Sequence, residues 1–272
     1  MTDVPVLIVG GGPVGLTASI LLSHHGVPSL LVERHPGTAV HPKARGINAR
    51  TMEMYRQLGV EQAIRDAGLP PERARFIVWT RTLAGEELER RVPGRNSPEN
   101  QAITPVRNCL CAQDYLEPVL RRHAEKSPLA ALRFDTELTS FEQDADGVSV
   151  SLVDRVTGAE TRTRAQYVIA ADGAQSRVRR ALGVTMLGKE DVYESVNVLL
   201  KAISVRGRTH APLRSTSSRT SGSRRRSSPS TASIAGGSSS TASRRTASAR
   251  RTSRPSARSS SSASRRACRT FR

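Results

Sequence analysis

An apolar run, Val6-Leu7-Ile8-Val9, breaks into Gly10-Gly11-Gly12-Pro13-Val14-Gly15. An alanine- and leucine-rich stretch follows as far as Gly26, and a second apolar run, Leu30-Leu31-Val32, ends in Glu33. The succession reads strand, glycine turn, helix, strand, acid. Each part has its own task on a single ligand. Gly10 allows the tight turn out of the first strand, and Gly12, with no Cβ, lets a pyrophosphate approach the backbone. Gly15 lets the helix pack closely on the sheet, while Gly11, Pro13 and Val14 complete the loop. The first helical N–H groups have no partners within the helix, so they and the helix dipole favour a phosphate there. Glu33 lies 18 residues beyond Gly15, at the tip of the second strand, where it would accept hydrogen bonds from a ribose diol. The alternative is a glycine-rich turn between buried elements. The presence of strand, helix and acid together favours a dinucleotide. The fingerprint does not separate NAD from FAD, and the acid makes NADP the least suited ligand of this loop.

The rest of the front portion alternates strands and helices. Residues 34–48 are polar and turn-rich and read as a loop. Residues 48–58 read as a helix, with Met52, Tyr55 and Leu58 at helical spacing and Gly59 as its stop, and a second helix is expected over 60–67. A strand at 76–79 has a hairpin partner over 82–89, turning at Ala84-Gly85, and 93–107 reads as an irregular connection. Residues 114–126 form an amphipathic helix whose Leu116, Val119, Leu120 and Ala124 share a core-facing side. Strands are expected at 132–134, 136–143, 147–154 and 161–170, the last two joined at Thr157-Gly158; a helix over 176–182 stops at Gly183. The fold expected is α/β: a doubly wound, Rossmann-like nucleotide domain, its parallel sheet carrying antiparallel hairpins and a β-rich insertion at about 70–105.

Charge divides the chain. Residues 206–272 hold 17 arginines and 21 serines with no Asp, Glu or Lys, so 17 of the 18 net positive charges belong to the tail and one to the first 205 residues. The tail lacks apolar periodicity and is expected to be disordered. Three cysteines, Cys109, Cys111 and Cys268, are too few for a disulfide framework, and Cys-Leu-Cys is not a zinc spacing; buried thiols are expected. His24, His25, His35 and His41 have no carboxylate spacing that makes a metal site. No cleavable leader and no apolar stretch of about 18 residues is present, and a cytoplasmic setting without membrane contact is expected.

Further motifs narrow the reading. They are His41-Pro42-Lys43-Ala44-Arg45-Gly46-Ile47-Asn48-Ala49-Arg50-Thr51-Met52-Glu53, Gln113 with Leu116-Glu117, and Tyr167-Val168-Ile169-Ala170-Ala171-Asp172-Gly173-Ala174-Gln175-Ser176-Arg177-Val178-Arg179. With the glycine loop and Glu33-Arg34, they make residues 4–202 resemble the FAD-dependent aromatic hydroxylases of the para-hydroxybenzoate hydroxylase group, most closely those acting on aromatic polyketides. The resemblance implies FAD as cofactor, NAD(P)H as co-substrate, and O2 and a small phenolic ring as substrates. In that chemistry the reduced flavin adds oxygen at C4a, and the hydroperoxide delivers a hydroxyl to the ring. It also implies that Gly10, Gly12, Gly15 and Glu33 hold the ADP half of FAD and that Arg34 flanks the adenosine. Arg45 would approach the pyrophosphate and flavin side, Gln113 would hydrogen-bond FAD, and Asp172 would sit near ribose and pyrophosphate. Each of the last three has a plainer role open to it: a solvated loop arginine, a helix-start residue without a ligand, and a cap on the turn into the helix at Ser176. No catalytic base is identifiable.

The family pattern continues with a central sheet and a second FAD segment containing Gly-Asp; this sequence has no Gly-Asp dipeptide. The expected organisation is an FAD-binding domain over 1–187, the start of an incomplete β-rich substrate domain over 188–204, and an Arg/Ser-rich tail over 205–272. The tail reads either as a basic arm for nucleic acid or, preferably, as out-of-frame translation of GC-rich codons. On the latter reading FAD retention is weak or absent and hydroxylation does not turn over. Other functions that stay open are an FAD- or NAD-dependent reductase without hydroxylation and non-specific nucleic-acid binding by the tail.

Overall fold

The computed structural model describes residues 2–74, 76–81, 86–92 and 98–188, together with the backbone of three short strands, Val196–Leu200, Thr216–Ser218 and Ser238–Ala242. The main sheet has six strands. At its centre β1 (Thr2–Val9) runs parallel to β2 (Ser29–Val32) on one side and to β10 (Glu160–Ala170) on the other. Beyond β2 lies β7 (Ala130–Arg133), also parallel. Beyond β10 lie β9 (Val148–Asp154) and then β8 (Thr136–Gln143), both antiparallel to their neighbours. The chain thus steps from β1 toward β7 on one side and returns to β10 on the other. The carboxyl ends of β1 and β10 flank the point where the order reverses, which is where open α/β sheets bind ligands.

Alternation along the strands assigns the two faces. Val6 and Ile8 of β1 and Leu31 of β2 join a core with Leu16 and Ile20 of α1 (Pro13–His24), Met52 and Tyr55 of α2 (Ala49–Gln57), Ile64 of α3 (Glu61–Ala67) and Leu116, Val119 and Leu120 of α5 (Gln113–Ala124). Leu7, Val9, Leu30 and Val32 point the other way, onto Leu138, Val148, Val150, Leu152 and Val178 of α6 (Arg177–Ala181). The large helices therefore gather on one face. The other is covered by the sheet's own antiparallel strands, which curl until β8 meets β2 although three strands separate them. Leu7, Ile8, Leu16, Leu31 and Leu120 are fully buried, each contributing about 1.5–3 kcal/mol relative to exposure.

Most expected elements lie within a few residues of their predicted bounds. Asn48 precedes α2 as its cap, its side chain accepting from Thr51 N–H at 2.8 Å. Three corrections arise. The connection expected to be irregular contains α4 (Pro98–Ala102), opened by a first-position proline with Glu99 in its first turn, a start signal hidden in polar text. The loop after Glu33 contains β3 (Gly46–Ile47), paired with β6 (Cys109–Leu110), a ladder too short for periodicity to reveal. The hairpin strand β4 (Ile77–Thr80) pairs with β5 (Glu87–Arg91), later than expected, and the turn at 84–85 lies outside the described residues. In the tail, the backbone of β12 (Thr216–Ser218) pairs with β4 and that of β13 (Ser238–Ala242) pairs with β11 (Val196–Leu200). A sheet edge offers backbone N–H and C=O groups, and short Ser/Thr segments can pair there without an apolar face. Most of the remaining tail, Cys268 included, lies outside the described residues. Among the described residues no helix is long and apolar enough to cross a membrane.

Candidate functional site

The glycine loop leaves β1 and enters α1 with Gly12 as its N-cap and Pro13 in the first turn. Gly10 has φ +112°, a backbone state that L side chains rarely adopt, and a Cβ there would run into the Ala171 carbonyl. A Cβ on Gly15 would collide with the carbonyl oxygen of Gly10. A Cβ on Gly11 would lie 2.8 Å from Cβ of Glu33. At these positions the protein itself fills the space. Gly12 differs: among the described residues, and apart from its chain neighbours, only Glu117 Oε1, at 4.0 Å, comes near the place its Cβ would take. The missing side chain leaves room over the backbone at the start of a 12-residue helix, where orphan N–H groups and the dipole favour an anion. Val14, in the same loop, is 69% exposed.

Glu33 closes one side. Its Oε2 accepts from Gly11 N–H at 2.6 Å and its Oε1 from His35 N–H at 2.9 Å. Two backbone donors fix the carboxylate, and each oxygen keeps acceptor capacity for a hydroxyl. Arg34 follows, exposed. Asp172 lies on the opposite side, where β10 passes Gly10. Its Oδ1 accepts from Ser176 Oγ at 2.5 Å, and its Oδ2 from Arg177 N–H at 2.7 Å and Val178 N–H at 3.3 Å. The carboxylate thus caps the start of α6, while its backbone N lies 3.0 Å from the position of a Gly10 Cβ.

Arg45 and Gln113 are distant in sequence and close in space. Pairing of Gly46 with Leu110 and of Ile47 with Cys109 carries the end of the 34–48 loop to the start of α5, where Gln113 N–H donates to the Ala44 carbonyl at 2.8 Å. Arg45 is half-buried at that junction. Glycine loop, Glu33, Arg45, Gln113 and Asp172 therefore gather around the carboxyl edge of the parallel strands.

Sequence reasoning passed over Glu117 as a site residue. It is only 3% exposed and bonds Ala39 N–H and Gln113 Nε2. The available signal was its four-residue spacing from Gln113 with a carboxylate on an otherwise apolar helix side. Cys109 and Cys111 are buried free thiols. Desolvation raises both, with Cys111 pushed up to about 12, so neither serves as a nucleophile at neutral pH.

A parallel-strand switch point, a glycine loop opening a helix and an acid on the next strand define a dinucleotide-binding fold. The chain belongs to the FAD binding domain family, which matches residues 3–268. It is 44% identical over 215 residues to tetracenomycin B2 monooxygenase-dioxygenase of Streptomyces olivaceus, covering 74% of this chain and 39% of that relative. It is 42% identical over 208 residues to aklavinone 12-hydroxylase of Streptomyces peucetius subsp. caesius, covering 74% and 42%. The structure of the flavin-dependent monooxygenase PieE in complex with FAD and substrate superposes with a TM-score of 0.76 at 38% identity, covering 81% of this chain and 39% of that one. The chain spans about two fifths of the length of these curated relatives.

Proposed function

We propose that this chain forms the ADP-binding part of the FAD site of an aromatic hydroxylase. Residues 1–187 would be the FAD-binding domain, and 188–204 would begin the substrate domain. The observation that carries the reading is the contrast among the glycines: protein packs against Gly10, Gly11 and Gly15, but the space over Gly12 is open. On this reading the pyrophosphate lies on the backbone of Gly11, Gly12, Pro13 and Val14, and Glu33 accepts from the ribose diol. Arg34 borders the adenosine. Arg45 offsets phosphate charge with a planar fork suited to two-point contact. Gln113 bonds the cofactor further along, and Asp172 holds the bordering turn near ribose and pyrophosphate.

The reaction class is NAD(P)H-dependent hydroxylation of a polycyclic phenol by O2; the names of the relatives that support it carry a monooxygenase-dioxygenase acting on tetracenomycin B2 and a hydroxylase acting on aklavinone. Bound flavin would supply the reductive activation of oxygen, and the protein supplies placement. A cytoplasmic setting is consistent with the two buried free thiols.

Titration of the purified chain with FAD tests the cradle: weak but saturable quenching of flavin fluorescence is expected, and no quenching at any FAD concentration overturns the reading. Coupled NADPH oxidation with formation of a hydroxylated phenol tests the reaction. Binding without turnover keeps the cradle and removes hydroxylation from this chain.

A further inference from the structure

Glu117 stands where a charge is costly: in α5, 3% exposed, with buried Leu116, Val119 and Leu120 beside it along the helix. Such a carboxylate must be hydrogen-bonded, and its two partners are informative. Oε2 accepts from the backbone N–H of Ala39 at 2.5 Å, in the loop that leads to Arg45. Oε1 accepts from the side-chain Nε2 of Gln113 at 2.6 Å. Among the described residues, and apart from Gly12 and its chain neighbours, that same Oε1 is the sole atom within 4.0 Å of the place a Gly12 Cβ would occupy. The Gln113 backbone N–H in turn holds the Ala44 carbonyl at 2.8 Å. One buried group thus bonds the 34–45 loop and Gln113 of its own helix and borders the open space over Gly12.

The chemistry of the pair sets a direction. An ionised carboxylate only accepts hydrogen bonds, so the Gln113 amide must turn its NH2 toward Glu117. Its carbonyl Oε1 and its second N–H are then the groups left to bond elsewhere. We infer that Glu117 is a positioning residue of the cofactor site: it holds the 34–45 loop to α5 and fixes which way the Gln113 amide faces the ligand. The inference rests on the FAD reading given above.

The test is FAD titration of the full chain by flavin fluorescence, with thermal unfolding of each apo-protein as a control. Glu117→Gln keeps shape but leaves one acceptor for two donors and lets the Gln113 amide flip. Its FAD Kd is expected to rise about tenfold, an amount in keeping with loss of a charge-assisted hydrogen bond. In a Gln113→Ala background the same change adds less than twofold, because the two residues act as one unit. Amide exchange at Ala39 in the apo-protein quickens at least tenfold in E117Q. E117D keeps the charge, shortens the reach and is expected to weaken FAD likewise; it carries the test should E117Q not fold. Wild-type FAD affinity in both variants, or effects of E117Q and Q113A that multiply in the double variant, would overturn the inference. Failure of the wild-type chain to bind FAD is a different outcome and removes the cofactor reading itself.

Discussion

The two sides of the candidate cradle are built by different means. Residues 10–33 form one crossover in which backbone meets backbone: the Gly10 carbonyl lies against Gly15, and the Ala171 carbonyl against Gly10. The facing side joins the 34–48 loop to α5 across a separation of 78 residues, and what joins it is a two-residue ladder, the Gln113 N–H on the Ala44 carbonyl and one buried carboxylate. The first side is steric and admits no side chain at given points. The second is chemical and depends on acceptors meeting donors. Sterics at fixed spacing leave a mark in sequence, whereas a hydrogen bond between distant segments leaves little.

The largest expected effect breaks the steric side. Gly15→Val puts a branched side chain where even a Cβ meets the Gly10 carbonyl, and destabilisation of about 3 kcal/mol or more is expected, read by denaturant unfolding or as loss of soluble protein. Gly12→Ala is the matched control. It has open space around it and an ordinary φ of −76°, so its stability cost should stay near 0.5 kcal/mol, while the FAD Kd rises about tenfold because the new methyl stands in the ligand's place. Equal loss of stability in the two variants would show that Gly12 is structural and would remove the contrast on which the cofactor reading rests.

This asymmetry also explains what the sequence revealed. Val6 to Glu33 was legible because glycine, helix and acid each mark their position by composition. Asn48 was legible as a helix start, since Asn is a strong capping residue. The ladder of Gly46–Ile47 with Cys109–Leu110 was not, because two residues carry no period. Glu117 stayed hidden for another reason. A single carboxylate on a helix is ordinarily a solvated one, and its burial follows from how loop 34–48 folds over α5. Arg45, Gln113 and Asp172 could be marked only by resemblance. The structure brings them to one edge, and for Asp172 it gives the side chain a capping task.

That task supplies the next test. Asp172→Ala removes the acceptor of Ser176 Oγ and of the N–H groups of Arg177 and Val178. A cost of about 1–2 kcal/mol is expected in unfolding, typical of a lost helix cap. Ser176→Ala should lower stability less, since its Oγ accepts from one backbone donor, the Arg179 N–H, where the Asp172 carboxylate accepts from two. A D172A variant with unchanged unfolding and lost FAD binding would instead make the carboxylate a direct ligand group.

The smallest effect belongs to a place remote from both sides. Asp144, in the turn between β8 and β9, accepts from Arg164 Nη2 at 2.6 Å and from Asp146 N–H at 2.8 Å. The turn adjoins Val148, which pairs with Ala165 in the middle of β10, well before that strand's carboxyl end. The Arg164 hydrogen bond, first, and the backbone donors after it hold the Asp144 carboxyl at about 2, below its ordinary 3.8. A group whose pKa is lowered by folding stabilises the native state above its unfolded value and loses that contribution as pH falls through its folded value. The contribution is therefore complete above about pH 4, fades on approach to pH 2 and, at an exposed and solvent-screened pair, is small. Asp144→Asn should leave the Tm at pH 7 nearly unchanged and flatten its decline between pH 4 and pH 2. FAD affinity at pH 7 should not move at all, because neither the glycine loop nor the Glu117 junction touches this turn. A change in that affinity would mean that the curled β8–β9 strands transmit to the carboxyl edge through the core they share with Val9 and Val32, and the two-sided account of the cradle would have to include them.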